Sequence, residues 1–385
     1  MPEREYDIVV FGATGFTGAL TAEYLASNAP ANTSWAVAGR NQDKLRQTLE
    51  RIGRTDISTL QADVGDPESL SRMAQSTKVV ITTVGPYINY GEPVVAACAQ
   101  NGTDYVDLTG EPEFVDRMWL GYNGEAQRTG ARLVHSCGFD SIPYDLGALF
   151  TVNRLAQDQP IKLEGYVRVG GTFSGGTYHS AIHIMGRLRE GAKVARERRQ
   201  RESQPDGRRV KGAPGRPHHE PDAGGWAVPF PTIDPQTVLR SARALDRYGP
   251  DFTYSHYLVV RRLPVLAGMA AGAGTAIALA QLRPTRELLL KLKDPGEGPS
   301  EEQRAKAWFK VRFKAQADGT GLKTEVSGGD PGYGETSKML AESALCLAHD
   351  ERPNDLVGQV TPAVAMGQPL IDRLQNAGIV FKELA

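Results

Sequence analysis

The residues Gly12-Ala13-Thr14-Gly15-Phe16-Thr17-Gly18 follow directly on a short β-branched run, Tyr6–Phe11 (YDIVVF), and precede a stretch that reads as a helix. Strand, glycine-rich turn and helix, in that order, are the setting in which backbone amides hold the pyrophosphate of a dinucleotide. Gly12 permits the tight turn, Gly15 lets the backbone approach the phosphates, and Gly18 lets the helix pack close to the strand. The free amides at the helix start, with the helix dipole behind them, complete an anion site. The spacing is GxxGxxG rather than the NAD prototype GxGxxG.

The end of the next strand selects between the two dinucleotides. An NAD site places a carboxylate about 20 residues beyond the glycines to hold the ribose 2′-hydroxyl. Here that place is taken by Gly39 and Arg40, followed by Asn41 and, one turn on, Lys44. A guanidinium pairs with a 2′-phosphate through charge-assisted, often bidentate hydrogen bonds, so the expected cofactor is NADP(H). Asp63, at the end of a third strand (57–62), is expected beside the adenine. The fourth strand (78–84) breaks at Gly85-Pro86, so Thr83, Val84, Gly85 and Pro86 should border the cofactor crevice.

A nicotinamide cofactor carries the hydride, and the protein must supply orientation and a proton. None of the thirteen tyrosines sits in a YxxxK pair, and no GxSxG elbow, metal motif or Walker lysine is present. The candidate proton donors are Tyr87, His135, Asp140 and Tyr144, near expected strand ends or in the CGFDSIPYDLG segment. His179 and His183 share one helical face, but no third ligand accompanies them, so no metal site is expected.

These groups need a doubly wound sheet to position them. The alternation of strands and helices from Tyr6 to His135 predicts one: an N-terminal Rossmann parallel sheet over residues 1–138. A central α+β domain for substrate or dimerisation is expected over 139–334, and a C-terminal segment, 335–385, packing back on the Rossmann domain. Phe309–Ala317 and Lys323–Ser327 read as adjacent strands joined by Asp318-Gly319-Thr320-Gly321, and Tyr178–Val194 as one helix.

The segments GATGFTG, AGR, TTVGPY, GTDYVDLTGE and CGFDSIPYDLG, in that order, resemble the saccharopine dehydrogenase-like oxidoreductases. With GDPGYGETSKML near the C-terminus, the chain is most similar to their actinobacterial branch, the trans-acting enoyl reductases. The resemblance covers almost the whole chain, with residues 105–147 its most specific part. It implies the fold just described and reduction of a carbon–carbon double bond in a polyketide- or lipid-like acyl chain on a carrier. An acyl carrier or polyketide synthase is the implied partner. A saccharopine-type amino-acid dehydrogenase is a second reading, and a non-catalytic dinucleotide- or lipid-associated binding protein a third.

Composition bounds the rest. The chain has 385 residues, 40% hydrophobic and 23% charged, with a net charge of −1, which gives no electrostatic case for nucleic acid. Three scattered cysteines and an N-terminus charged where a signal peptide would be apolar point to the reducing cytoplasm. Between residues 187 and 216 stand eleven Lys/Arg against four Asp/Glu, expected as a helix end with a loop over 205–221, or as a docking surface for an anionic carrier or lipid headgroup. The twenty residues 263–282 carry no charge. Three readings suit them: a buried or dimer-packing helix, a surface helix contacting lipid at the inner face of the membrane, or a span. A homodimer is expected by analogy with enzymes of this architecture.

Overall fold

The computed structural model describes residues 4–170, 175–291 and 299–385. Its first sheet is built from β1 (Tyr6–Phe11), β2 (Trp35–Gly39), β3 (Ser58–Gln61), β4 (Thr77–Thr82), β5 (Asp104–Val106) and β6 (Arg132–Val134). Side chains along β1 alternate between two apolar clusters, Ile8 and Val10 in one, Val9 and Phe11 in the other. Both faces of the sheet are therefore covered, which is why its strands read as unbroken hydrophobic runs. β1 pairs in parallel with β2 on one side and β4 on the other. The strand order reverses at β1, and the crevice outside the strand ends at that point is where an open α/β sheet binds its ligand.

The second sheet contains β7 (Ile161–Gly170), β8 (Arg209–Gly212), β9 (His218–Glu220), β10 (Gly225–Pro229), β11 (Asp251–Val260), β12 (Trp308–Ala317) and β13 (Thr320–Gly328). Two late strands, β14 (Gly358–Val360) and β15 (Val380–Leu384), finish the two sheets. The orders are β14-β6-β5-β4-β1-β2-β3 and β15-β13-β12-β7-β11-β10-β9, with β8 paired to β11. β12 and β13 form the expected hairpin, and Asp318 and Gly319 at its tip both have positive φ, 47° and 72°. Two such residues make the hairpin turn that matches strand twist.

The helix Ile142–Val152 is buried along its whole length. It packs on β12 and β13 of the second sheet, and a Cβ on Gly147 would come within 2.4 Å of the Phe313 ring on β12. Leu146, Val10 and Val311 belong to one continuous apolar cluster, so the two sheets share a core.

The C-terminal segment is divided between the sheets. Helix Gly334–His349 packs on the helix Phe16–Asn28, and β14 extends the first sheet beside β6, as expected. β15 instead pairs with β13 of the second sheet, covering an edge that would otherwise be left unpaired, and Phe381 packs on Phe150 at 5.6 Å.

Three further expectations change. The single helix over 178–194 is two, Gly175–Met185 and Leu188–Arg201, carrying His179 and His183 on the first. The loop over 205–221 contains β8 and β9, which join the second sheet. The apolar stretch forms the helix Leu263–Ala280, but it is not a buried one: Pro264, Gly268, Gly272, Gly274, Ile277 and Leu279 are all exposed. It packs mainly on its neighbours Gly175–Met185 and Arg283–Leu290. Among the described residues no helix is long and apolar enough to cross a membrane.

Asp145, in the central buried helix, accepts hydrogen bonds from the Ser241 hydroxyl and the Ala363 amide, the latter at 2.8 Å. Burial pushes its carboxyl up to about 7. The folded protein therefore holds this proton more tightly than the unfolded chain does. The stabilisation is complete below about pH 4 and falls by about 1.4 kcal/mol per pH unit as pH rises towards 7. An asparagine at this place can still accept from Ala363 and donate to Ser241. Asp145→Asn should accordingly flatten the decline in melting temperature between pH 4 and 7, and parallel curves for the two proteins would refute the assignment.

Candidate active site

The three loop glycines have different causes. Gly12 has φ +94°, and a Cβ there would lie 2.8 Å from both Thr83 Oγ1 and Val84 Cγ2. A Cβ on Gly18 would lie 2.3 Å from the Gly12 carbonyl. Chain packing alone thus dictates those two. Gly15 has an ordinary extended φ of −79° and meets only the Gly12 carbonyl, at 3.4 Å. Neither a positive φ nor a close clash demands glycine at this exposed position, and its backbone is open to a ligand. Gly15 caps the helix Phe16–Asn28 without a side-chain hydrogen bond, and the first turn holds no acidic residue. The residues present therefore fit a dinucleotide pyrophosphate.

Around this turn, Ala13 is buried, Thr14 is exposed, and Phe16 packs edge-on against Tyr333 at 4.6 Å. The Thr17 carbonyl accepts from the Thr21 hydroxyl. The Thr83 hydroxyl donates to the Gly12 carbonyl at 3.1 Å, joining the loops after β1 and β4, and Val84, Gly85 and Pro86 continue along the same border. Arg40 is 75% exposed in its side chain, and its Nε lies 4.0 Å from Asp63 Oδ2. An exposed pair at that distance holds the guanidinium weakly and leaves it free to turn to a phosphate. Lys44 is exposed one turn on. Asn41 and Asp63 have local work: Asn41 Oδ1 accepts from the Lys44 amide at 3.0 Å, capping helix Gln42–Arg51, and Asp63 Oδ1 accepts from the Gly65 amide.

The four candidate proton donors fall into two pairs. The Tyr87 hydroxyl donates to the Thr82 carbonyl at 3.0 Å and is buried. His135 Nδ1 lies 2.6 Å from Asp107 Oδ2, and its ring is held edge-on between Tyr105 and Phe114. Both side chains are engaged in holding strand ends. Asp140 and Tyr144 stand differently. A Cβ on Gly110 would lie 3.4 Å from Asp140 Oδ2, so this half-buried carboxyl sits over the loop after β5. Burial first, then the charge of Asp107, push it up to about 6. Tyr144 packs edge-on against Phe139 and His256, at 5.5 and 5.1 Å, and burial followed by Asp234 and Asp140 raises its phenol well above the usual value.

Three residues here escape the sequence reading. Asp107 is fully buried and gathers donors from both strand ends. Asp234 opens the helix Asp234–Ala244, and His256 lies on β11. Both reach the neighbourhood of Tyr144 from elements far along the chain. His256 gave one usable signal: in the alternating run Asp251–Val260 it falls on the same face as Tyr254, where an apolar residue is expected.

The cofactor assignments can be separated from folding by three substitutions. Gly15→Ala should weaken NADPH binding at least about tenfold with an unchanged melting temperature, while Gly18→Ala should lower the melting temperature itself. Arg40→Ala should remove an NADPH-over-NADH preference of about tenfold, roughly 1.4 kcal/mol. Fluorescence titrations in which Gly15→Ala binds NADPH like the parent protein would sink the phosphate-loop reading.

Comparisons with known proteins agree with this geometry. Residues 8–134 match the family model described as the saccharopine dehydrogenase NADP binding domain. A trans-acting enoyl reductase of Mycobacterium tuberculosis is 36% identical over 98% of this chain and 98% of its own length. The trans-acting enoyl reductase of Mycobacterium ulcerans is 34% identical over 98% of this chain and 97% of its own. In fold, the chain is similar to the L-Glu-forming saccharopine dehydrogenase of Saccharomyces cerevisiae, with a TM-score of 0.55 and 12% identity over 99% of this chain and 100% of that one. The chain belongs to the saccharopine dehydrogenase-like oxidoreductases, in the branch of the mycobacterial trans-acting enoyl reductases, and is an NADP-dependent oxidoreductase.

Proposed function

We propose that the protein reduces the carbon–carbon double bond of a polyketide- or lipid-like acyl thioester presented by an acyl carrier, with Asp140 as proton donor. The observation that carries this reading is a carboxyl with its proton held to about pH 6, set over the loop after β5, on the same edge as the glycine loop. The amides of the Gly15 turn and Arg40 would hold NADPH, which when bound would supply a hydride to the β-carbon. The double-bond electrons move into a thioester enolate, and Asp140 protonates the α-carbon. Being half-buried, the resulting carboxylate can recover its proton from water. Tyr144, deeply buried and hard to ionise, walls the site and excludes solvent.

Since the protonated carboxyl is the active form, kcat/KM should be level below about pH 6 and fall about tenfold per unit above it. Asp140→Asn should be at least about 100-fold slower and lose that descending limb. Stopped-flow oxidation of NADPH with enoyl thioesters of N-acetylcysteamine tests both, and an unaltered pH profile in the variant would exclude Asp140.

The ion pairs bear on the alternative amino-acid substrate. A saccharopine-like molecule carries several carboxylates and needs free arginines. Arg187 forks onto Glu113 at 2.7 and 2.8 Å, Arg198 binds Asp116 at 3.2 Å, and Arg208 and Arg209 pair with Asp246 and Asp251. With Arg201 on Glu197, five basic residues of this segment are paired within the chain. Arg189, Lys193 and Arg196 are exposed at successive turns of Leu188–Arg201 and make no ion pair among the described residues. That cationic ridge supports docking of an anionic carrier.

Close to it, Leu188, Ile277, Leu279, Leu282 and Leu288 are exposed beside Arg283. Apolar groups rimmed by cations suit the surface of an anionic bilayer, where a lipid-like substrate would be met. The protein should co-sediment with phosphatidylglycerol vesicles, and Leu282→Asp with Leu288→Asp should abolish this. Equal sedimentation of parent and variant would remove the membrane reading while leaving the reductase reading intact.

A further inference from the structure

Two polar atoms behind Tyr144 have no hydrogen-bond partner: Asp234 Oδ1 and His256 Nε2. Their side chains are only 4% and 1% exposed. Buried polar atoms are nearly always paired, so two orphans on adjacent residues call for a physical account. The remaining valences of both groups are taken. Asp234 Oδ2 accepts from the Thr232 hydroxyl and lies 3.8 Å from His256 Nε2. His256 Nδ1 lies 3.0 Å from the Tyr254 hydroxyl, and the ring is sandwiched between Phe230, stacked at 6.1 Å, and the edge of Tyr144. The two free atoms are thus held on fixed, packed side chains.

Proton positions follow by assignment from counting donors. If the Tyr254 hydroxyl donates to Nδ1, only Nε2–H lacks a partner. The opposite tautomer would orphan the phenol hydrogen as well as Nε2. The imidazole therefore carries its proton on Nε2. Burial holds this ring neutral, its titration lowered to about 3, and raises the Asp234 carboxyl well above the usual carboxylate range. With Oδ2 occupied as an acceptor, the carboxyl proton resides on Oδ1. Both orphans are then uncharged donors. A neutral imidazole and an un-ionised carboxyl are the kinds of group that stabilise a developing oxyanion without being neutralised by it beforehand.

We infer that Asp234 Oδ1 and His256 Nε2 form a two-donor site for the carbonyl oxygen of an acyl thioester, and for the enolate oxygen that succeeds it. The inference rests on the enoyl-reductase reading and adds the group that holds the substrate's oxygen. Half-buried Asp140 and Phe230 form the rim of this site, Tyr144 its wall, and the two donors its floor. An oxygen on that floor presents the adjoining α-carbon towards Asp140. Asp140 and Asp234 feel one another, since the charge of Asp140 is among the causes that raise Asp234. The other ionisable groups near Asp234 and His256 are Tyr144 and Tyr254, both held un-ionised by burial.

The test uses the full chain saturated with NADP+ and a saturated acyl thioester of N-acetylcysteamine labelled with carbon-13 at the carbonyl. Infrared difference spectra should show the carbonyl band displaced to lower frequency in the parent protein. Asp234→Asn, which keeps a neutral donor, should retain the displaced band and bind within about threefold of the parent. Asp234→Ala and His256→Leu should return the band to its solution position. With the matching enoyl thioester and NADPH they should lose at least about tenfold in kcat with a smaller change in KM. Melting curves and NADPH affinity identify any variant that has simply unfolded. Asp234→Asn keeps both the Thr232 hydrogen bond and a donor, which Asp234→Ala loses, so their contrast survives the loss of His256→Leu. An undisplaced band in the parent protein, or one displaced equally in Asp234→Ala, overturns the inference. A displaced band with no NADPH consumed overturns the reductase reading and leaves the carbonyl site standing.

Discussion

One buried charge organises the edge of the first sheet that carries the proposed site. Asp107, without solvent contact, receives hydrogen bonds from the Tyr105 hydroxyl at 2.8 Å and from the amides of Ser136 and Thr109 at 2.8 and 3.0 Å. The fourth contact is His135 Nδ1 at 2.6 Å. A carboxylate so deep is tolerable only with its lone pairs occupied. The donors come from the segments after β5 and β6, so satisfying Asp107 locks the two loops together. Ser136 accepts a positive φ of 62° within this arrangement, its hydroxyl donating to the Thr109 carbonyl at 2.6 Å. Those loops carry Gly110 and Asp140. After burial, the same negative charge is the second cause that raises Asp140, so one group both ties the loops and adds to that shift.

What could be read in the sequence follows the range of the interactions concerned. The glycine loop is local: strand, three glycines and helix lie within about twenty-five residues. The β12–β13 hairpin is local too, because Asp318-Gly319 dictates its turn. Asp107 was legible only as part of a family motif, since its partners sit on another strand. Asp234 and His256 were not legible as a pair. They meet because β11 pairs with β7 and the helix Asp234–Ala244 packs on Ile142–Val152, and neither contact leaves a periodic trace in the chain.

Two features left open share a cause. The partners of Arg187 and Arg198 could not be read because their carboxylates, Glu113 and Asp116, lie 74 and 82 residues earlier. The lack of charge in 263–282 suggested burial, yet Gly268, Gly272 and Gly274 and the larger Ile277, Leu279 and Leu282 all face solvent. Composition reports what a segment can tolerate, and tertiary contacts decide what it meets.

The dual allegiance of the C-terminal segment sets a constraint on how the chain is made. Arg132 of β6, paired with Asp104, also donates to the carbonyl of Leu347, across 215 residues of sequence, and β14 closes the sheet beside it. On the ribosome, the cofactor-binding sheet must wait with an uncovered edge and a bare apolar face while the whole second sheet except its last strand is synthesised. The nascent Rossmann half therefore keeps apolar surface exposed until the helix Gly334–His349 arrives.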